Sequence, residues 1–528
     1  MKRYLYLLLV LSVLLLGCTA KEETKKSAEQ QTNHLVLAIG SEPEQGFDPT
    51  TGWGRYGSPL FQSTLFRLNE QLEVTYDLAT NHMIAEDGRT WNVTIRQDAY
   101  FSDGEKLTAE DIIFTFELAK TKQSIVDLSN LEKVEKVSDY EVTFYLKEPQ
   151  STFITLLHTL GIVPKHAYTD NYASHPIGSG PYQMVEWRKN EQLIVEKNPH
   201  FHGEVPQFDQ LTFLFMEPDQ ALAVAKTGVI DVLSVPATYP KENMNGMKRL
   251  SLDSVDNRGI MLPFVAPTTN HDGKEIGHEV TSNVEIRKAM NLGVNRQQLV
   301  DTLMNGEGTP AFSSVDRLPW FDENNVINDN NKVEAEELLH SQGWNKGEDG
   351  IFQKGSLRAS MELYYPAGDQ LRQSLSLLVA QQLKEVGIEI IPKGASWNVI
   401  EEVMHKEPVL MGWGSHNPIE LYYLYHSQMS GMDYYNANYY QNEKVDEYME
   451  KAIQSINLEE AYKYWKLAQC DGETGFNGNA DAPWVWLVNV NHVYYIKGPL
   501  EIGKQKIQPH GHGWPITDFI TDWTWEES

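Results

Sequence analysis

His510 and His512 stand two residues apart in "QPHGHGWP" (508–515), each followed by glycine, with Trp514 beside them. His416 has a similar glycine and tryptophan setting in "GWGSHNPIE" (412–420). Imidazole nitrogen suits nickel, copper and zinc, so these three histidines are candidate ligands to a metal, or to a metal already wrapped by a chelator. "TTGWGRYG" (50–57) adds Trp53, Arg55 and Tyr56, and "DNRGIM" (256–261) adds Arg258. A guanidinium holds a carboxylate through paired hydrogen bonds, which is what a carboxylate-bearing chelator would need. Trp413 and Tyr423, on either side of His416, are candidate walls for the same ligand. Each stretch is also compatible with an ordinary surface loop. The 510/512 pair faces one way only on extended backbone, and Gly511 and Gly513 favour an irregular path. His158, His166, His175, His200 and His202 read as polar residues of loops and strand ends.

The composition limits the alternatives. Only two cysteines occur, Cys18 and Cys470, so neither a disulfide framework nor a thiolate zinc site is available. Any metal must be held by imidazole, carboxylate or the chelator's own atoms. The formal charge of −29, without a basic stripe, argues against a nucleic-acid partner. No Gly-x-Ser-x-Gly elbow and no His-Glu-x-x-His pair is present, so a surface hydrolase is the least favoured alternative and no catalytic residue is expected.

The N-terminus reads as an export signal. Lys2 and Arg3 precede an apolar run, Tyr4 to Leu16, which is shorter than the roughly 20 residues of a membrane span. Leu15-Leu16-Gly17-Cys18 resembles a bacterial lipobox, which implies acylation at Cys18 and an extracytoplasmic, lipid-anchored body. Residues 1–17 are then the signal. Residues 18–33, with "AKEETKKSAEQQTN" at 20–33 lacking any aromatic or large aliphatic side chain, form a flexible stalk.

About 500 residues remain, more than a single core organises, so at least two lobes are expected. The elements that must position the candidate residues alternate between helix and strand. "TAEDIIFTFELAK" (108–120) predicts a helix capped by Thr108, with Ile112, Ile113, Phe116 and Ala119 on one face. "YEVTFYLKEP" (140–149) predicts a strand with Val142, Phe144 and Leu146 inward. Residues 283–306 read as two helices broken near Gly293, and 372–393 as a helix, a stop at Gly387 and a strand. "PWVWLVNVNHVYYIK" is strand-like, and the fold class is α/β.

Three segments resemble, in order, the extracytoplasmic solute-binding proteins of the peptide and nickel ABC importer family (family 5). They are "FSDGEKLTAEDIIFTFELAK", "PIGSGPYQMVEWRKNEQLIVEKNPHF" and "NVEIRKAMNLGVNRQQLVDTLMNGEGTPA". The resemblance implies a two-lobe periplasmic-binding-protein fold of type II. Lobe I would span 34–278, with 61–174 as an extra subdomain, lobe II 279–489, and 490–528 would return to lobe I. It also implies a monomeric, non-enzymatic protein that closes on a solute and delivers it to permease subunits. "GWGSHNPIELYY" and "PHGHGWP" resemble the stretches that nickel-binding members place around their chelate, so Ni²⁺ or a similar metal chelate is the expected cargo. An oligopeptide is the alternative, its amino terminus held by an acid such as Asp433 or Glu420.

Overall fold

The computed structural model describes residues 33–122, 125–511 and 513–526; Cys18 and the signal and stalk, like His512, lie outside them. No helix among the described residues is long and apolar enough to cross a membrane. The body from Asn33 onward is built on two large sheets.

The first lobe carries a seven-stranded sheet in the order Met247–Leu252, His492–Lys497, Val232–Val235, His34–Ala38, Gln210–Leu214, Gln192–Lys197, Tyr182–Arg188. His34–Ala38 runs parallel to both of its neighbours, and the outer strands are antiparallel. Parallel strands at the centre are covered on both faces, which is why Leu35, Leu37, Leu211 and Val232 are fully buried.

The extra subdomain is a four-stranded antiparallel sheet, Ala79–Ile84, Thr90–Ile95, Glu141–Leu146 and Leu131–Ser138. The helix Ala109–Lys122 packs on it through Ile112, Phe116 and Ala119. At its start the Asp111 carboxylate accepts bonds from the Thr108 N–H (2.9 Å) and hydroxyl (3.3 Å), while the Thr108 hydroxyl caps Glu110 N–H.

The second lobe has a six-stranded sheet, ordered Gly308–Pro310, Trp484–Val490, Asn257–Met261, Val409–Met411, Ser360–Pro366, Glu389–Ala395. Helices Val284–Gly293, Arg296–Leu303 and Gln370–Val386 bury their apolar faces in its core. The aromatic run near the end is two strands, one in each sheet. Trp484–Val490 belongs to the second lobe and His492–Lys497 to the first, with Asn491 alone between them.

The chain therefore crosses between lobes at 253–256 and again at Asn491. The two crossings are tied together: Ser254 Oγ donates to Val490 O (2.6 Å) and Val490 N–H to Asp256 O (2.8 Å). The tail adds a third strand of chain there, with Val255 N–H on Gln508 O and Gln508 N–H on Asp253 O. This corrects the expected boundary at 278. Asn257–Met261 is an interior strand of the second sheet, hydrogen-bonded on both edges, so residues from 257 onward belong to the second lobe. Beyond 498 the chain packs on the first lobe, where Trp514 stacks on Phe213 (4.5 Å between rings).

Candidate functional site

A cavity of about 170 Å³ is lined by both lobes, by the extra subdomain and by the tail. The first lobe contributes Trp53 and Arg55 from the glycine-rich loop after the short helix Pro49–Thr51. Trp53 is fixed by its indole N–H, which donates to Pro59 O (2.7 Å), and by edge contacts with Phe47 and Trp514. The Arg55 guanidinium lies over the Tyr56 ring at 5.0 Å and makes no hydrogen bond or ion pair among the described residues. It feels the Glu420 carboxyl electrostatically but bonds none, so its N–H groups face the cavity able to take an anionic ligand. Tyr56 itself is outside this lining; it borders a neighbouring cavity of about 190 Å³, beside His510.

The second lobe contributes the loop and helix from Trp413 to Tyr423, with Tyr435. Gly414, at φ 144°, lets this loop press against the first crossing: a Cβ there would lie 2.1 Å from Val255 O. Trp413 Nε1 and His416 Nε2 are both buried without a hydrogen-bond partner. Burial, then the charge of Lys506 and the neighbouring His158, hold the His416 imidazole well below its usual range, opposed only by a bond to the Ile507 backbone. The ring is therefore neutral and able to coordinate at ordinary pH. Glu420 is buried and accepts from Gly414 N–H (3.3 Å) and Ser415 N–H (3.2 Å); burial pushes its carboxyl up to about 7. Tyr423 stacks on Tyr435 (4.6 Å) and donates to Asp127 across the lobes at 3.3 Å.

Two candidates stand elsewhere. The Asp256 carboxylate, at the first crossing, lies 2.5 Å from both Arg258 Nη1 and His510 Nδ1, and 3.5 Å from His492. Although burial works to raise it, Arg258 and His510 keep this carboxyl well below the usual range. Neither residue lines the cavity. His510 and Arg258 face the Asp256 carboxylate at the crossing, not the cavity, since a buried carboxylate needs partners; His512, the other member of the expected pair, lies outside the described residues.

His158 was expected in a loop or at a strand end. It lies instead in the helix Phe153–Thr159 and lines the cavity, its imidazole pushed down to about 3 by burial and by Lys506. The signal for it was available in the sequence. Thr152, Thr155 and His158 repeat at a spacing of three through an otherwise apolar segment, and all three line the cavity. Lys506, paired with Asp518 at 2.7 Å, is a further lining residue, and nothing local in the sequence marks it.

Among the described residues no group of three or more His, Cys, Asp or Glu is placed to hold a metal ion. The cavity offers one unpartnered imidazole nitrogen, a guanidinium and aromatic walls. That set can complete the coordination of a metal carried by other donors, or grip a compact carboxylate.

Residues 73–463 match the family described as bacterial extracellular solute-binding proteins, family 5 Middle. Protein XP55 of Streptomyces lividans is 31% identical over 88% of this chain and 84% of its own length. The oligopeptide-binding protein AppA of Bacillus subtilis is 27% identical over 88% of this chain and 91% of its own. Among solved structures, NikZ from Campylobacter jejuni in complex with Ni(L-His) superposes with a TM-score of 0.77 at 24% identity, covering 94% of this chain and 100% of that one. AppA from Bacillus subtilis in complex with a nonapeptide gives 0.70 at 24% identity, with the same coverage. Both likenesses establish the two-lobe fold.

Proposed function

The chain belongs to the bacterial extracellular solute-binding proteins of family 5, the non-enzymatic capture components of ABC importers, and we propose that its cargo is a transition-metal chelate of the nickel–histidine type. One observation carries this reading: His416 Nε2 lies buried in the cavity wall with no partner, on a ring kept neutral by its surroundings. A donor nitrogen left unbonded costs free energy unless a ligand uses it. Arg55, whose guanidinium makes no hydrogen bond or ion pair among the described residues, is suited to the chelator's carboxylate, and Trp53, Trp413 and Tyr423 to its flanks. Free metal is a poor cargo, since one imidazole supplies too few donors for six-coordinate nickel.

Relatives that carry peptides make a short peptide the second reading. The acids expected to hold its amino terminus favour it less. Glu420, pushed up to about 7, is half protonated at neutral pH, and Asp433 is not among the lining residues. A space of about 170 Å³ also suits a compact solute better than a nonapeptide.

Calorimetry with Ni²⁺ alone, L-histidine alone and the two mixed tests the proposal. The mixture binds tightly, and the separate components weakly or not at all. His416→Ala weakens the mixture about 100-fold and Arg55→Ala about tenfold, in line with losing one coordination bond or one charge-assisted contact. Tight binding of a metal-free peptide, with no response to the mixture, sinks the chelate reading.

We further propose that the protein is a monomer tethered to the membrane through acylated Cys18. Cys18→Ser then abolishes incorporation of labelled fatty acid; undiminished labelling excludes the anchor.

A further inference from the structure

Ser151 joins the lobes at the rim of the cavity, independently of the crossings at 253–256 and Asn491. Its backbone N–H donates to Ile453 O at 2.8 Å and its hydroxyl to Ala452 O at 2.7 Å, and the residue is fully buried. Ser151 belongs to the extra subdomain of the first lobe, whose core takes the Phe153, Ile154 and Leu157 side chains that follow it. Ala452 and Ile453 belong to the second-lobe helix Glu443–Gln454, anchored by Val445, Met449 and Ala452.

The last carbonyls of an α-helix have no N–H four residues ahead to bond, and the helix dipole makes that end negative. Ser455 Oγ donates to Lys451 O at 2.8 Å, but its N–H reaches Ala452 O only at 3.4 Å, and the better donors to Ala452 O and Ile453 O come from the other lobe. Gln150 and Thr152, immediately before and after Ser151, both line the cavity. Leu458, just beyond the helix, packs against the subdomain's apolar core at the same junction.

We infer that Ser151 is a positioning residue for solute capture, which caps the helix Glu443–Gln454 from the opposite lobe and thereby holds the lobes closed over the cavity. The cap does not depend on which solute is carried. Opening exchanges both bonds for bonds to water, so each contributes a modest bias: losing one shifts the closed-to-open ratio about 2–10-fold. Ser151→Ala deletes the hydroxyl bond and keeps the backbone bond. Ser151→Asp sets a carboxylate against the negative helix end and two carbonyl oxygens, and shifts the ratio further.

Small-angle scattering from the unliganded protein decides the matter without a ligand. The radius of gyration rises from wild type to Ser151→Ala to Ser151→Asp, while circular dichroism and the thermal unfolding of Ser151→Ala stay as in wild type. Indistinguishable scattering from wild type and the variants overturns the inference. If Ser151→Asp does not fold, the comparison of wild type with Ser151→Ala stands alone and keeps both outcomes. A second arm uses nickel–histidine as probe: its dissociation from Ser151→Ala is about 2–10-fold faster, with association unchanged. Equal dissociation rates count against the cap. Failure of wild type to bind nickel–histidine removes the chelate reading and leaves Ser151 to the scattering result.

Discussion

Glu420 shows how a single side chain in the cavity wall acquires a property its sequence context does not announce. In "SHNPIE" it is an ordinary acid near a helix start; in the fold it is buried, and its carboxyl stands at about 7 instead of 4.5. The folded protein thus holds this proton more tightly than the unfolded chain does. Its effect on stability is nil below pH 4.5, grows unfavourable as pH rises from 4.5 to 7, and is constant above that, reaching at most about 3 kcal/mol. Other groups titrate in the same interval, so the test is a difference. Urea unfolding midpoints of wild type and Glu420→Gln, compared at pH 5 and pH 7.5, are expected to show a smaller fall with pH in the variant. Equal falls would mean the carboxyl is solvated. At the same scale His416 and Arg55 were legible as candidates from residue type and glycine-rich setting. The place of His510 is not legible locally, because the buried Asp256 carboxylate beside it lies more than 250 residues away in the chain.

The elements themselves were largely written in local pattern. The Thr108 cap, the helix pair separated just after Gly293 and the stop at Gly387 all occur where short-range stereochemistry puts them. Gly387 has φ 98° and donates to Leu383 O and Lys384 O, closing the helix Gln370–Val386 before the strand Glu389–Ala395. A Cβ there would meet Phe352 Cδ2 at 2.7 Å and Gly350 O at 2.9 Å. Gly387→Ala is therefore expected to lower unfolding free energy by about 1–3 kcal/mol, through a strained left-handed residue and a steric overlap. Chemical denaturation measures the loss, and ligand affinity of the folded variant stays unchanged because the turn is remote from the cavity lining. No loss of stability would mean the turn relaxes at little cost. Helix Phe153–Thr159 carries a complementary lesson. Its polar stripe of Thr152, Thr155 and His158 is visible at helical spacing, yet the segment is short and its β-branched residues dilute the helix signal, so local pattern reads His158 as a loop residue.

At the scale of the molecule the tail is an integral part of the first lobe. Trp514, Ile516, Ile520, Trp523 and Trp525 are buried in its core, and Lys506 and Pro509 reach the cavity. Truncation after Gln505 removes five large apolar side chains from that core, each worth about 2–5 kcal/mol when deleted from a packed interior. That total exceeds the stability of most domains. The expected outcome is a chain without a cooperative unfolding transition or near-ultraviolet circular dichroism; a cooperative, native-like truncation would show the tail to be dispensable. The sequence alone determined what depends on neighbours along the chain: the caps and stops, the strand alternation, the absence of a thiolate metal site, and a set of ordered segments specific enough to identify the family. Tertiary structure decided what depends on residues brought together from afar. It set the crossing at 253–256 rather than 278, paired His510 with Asp256, placed His158 and Lys506 beside His416, and put Ser151 at the end of a helix 300 residues further on. Sheet order, burial and charge pairing arise from long-range packing, and no local pattern of apolar and polar residues encodes which distant segment will supply the partner.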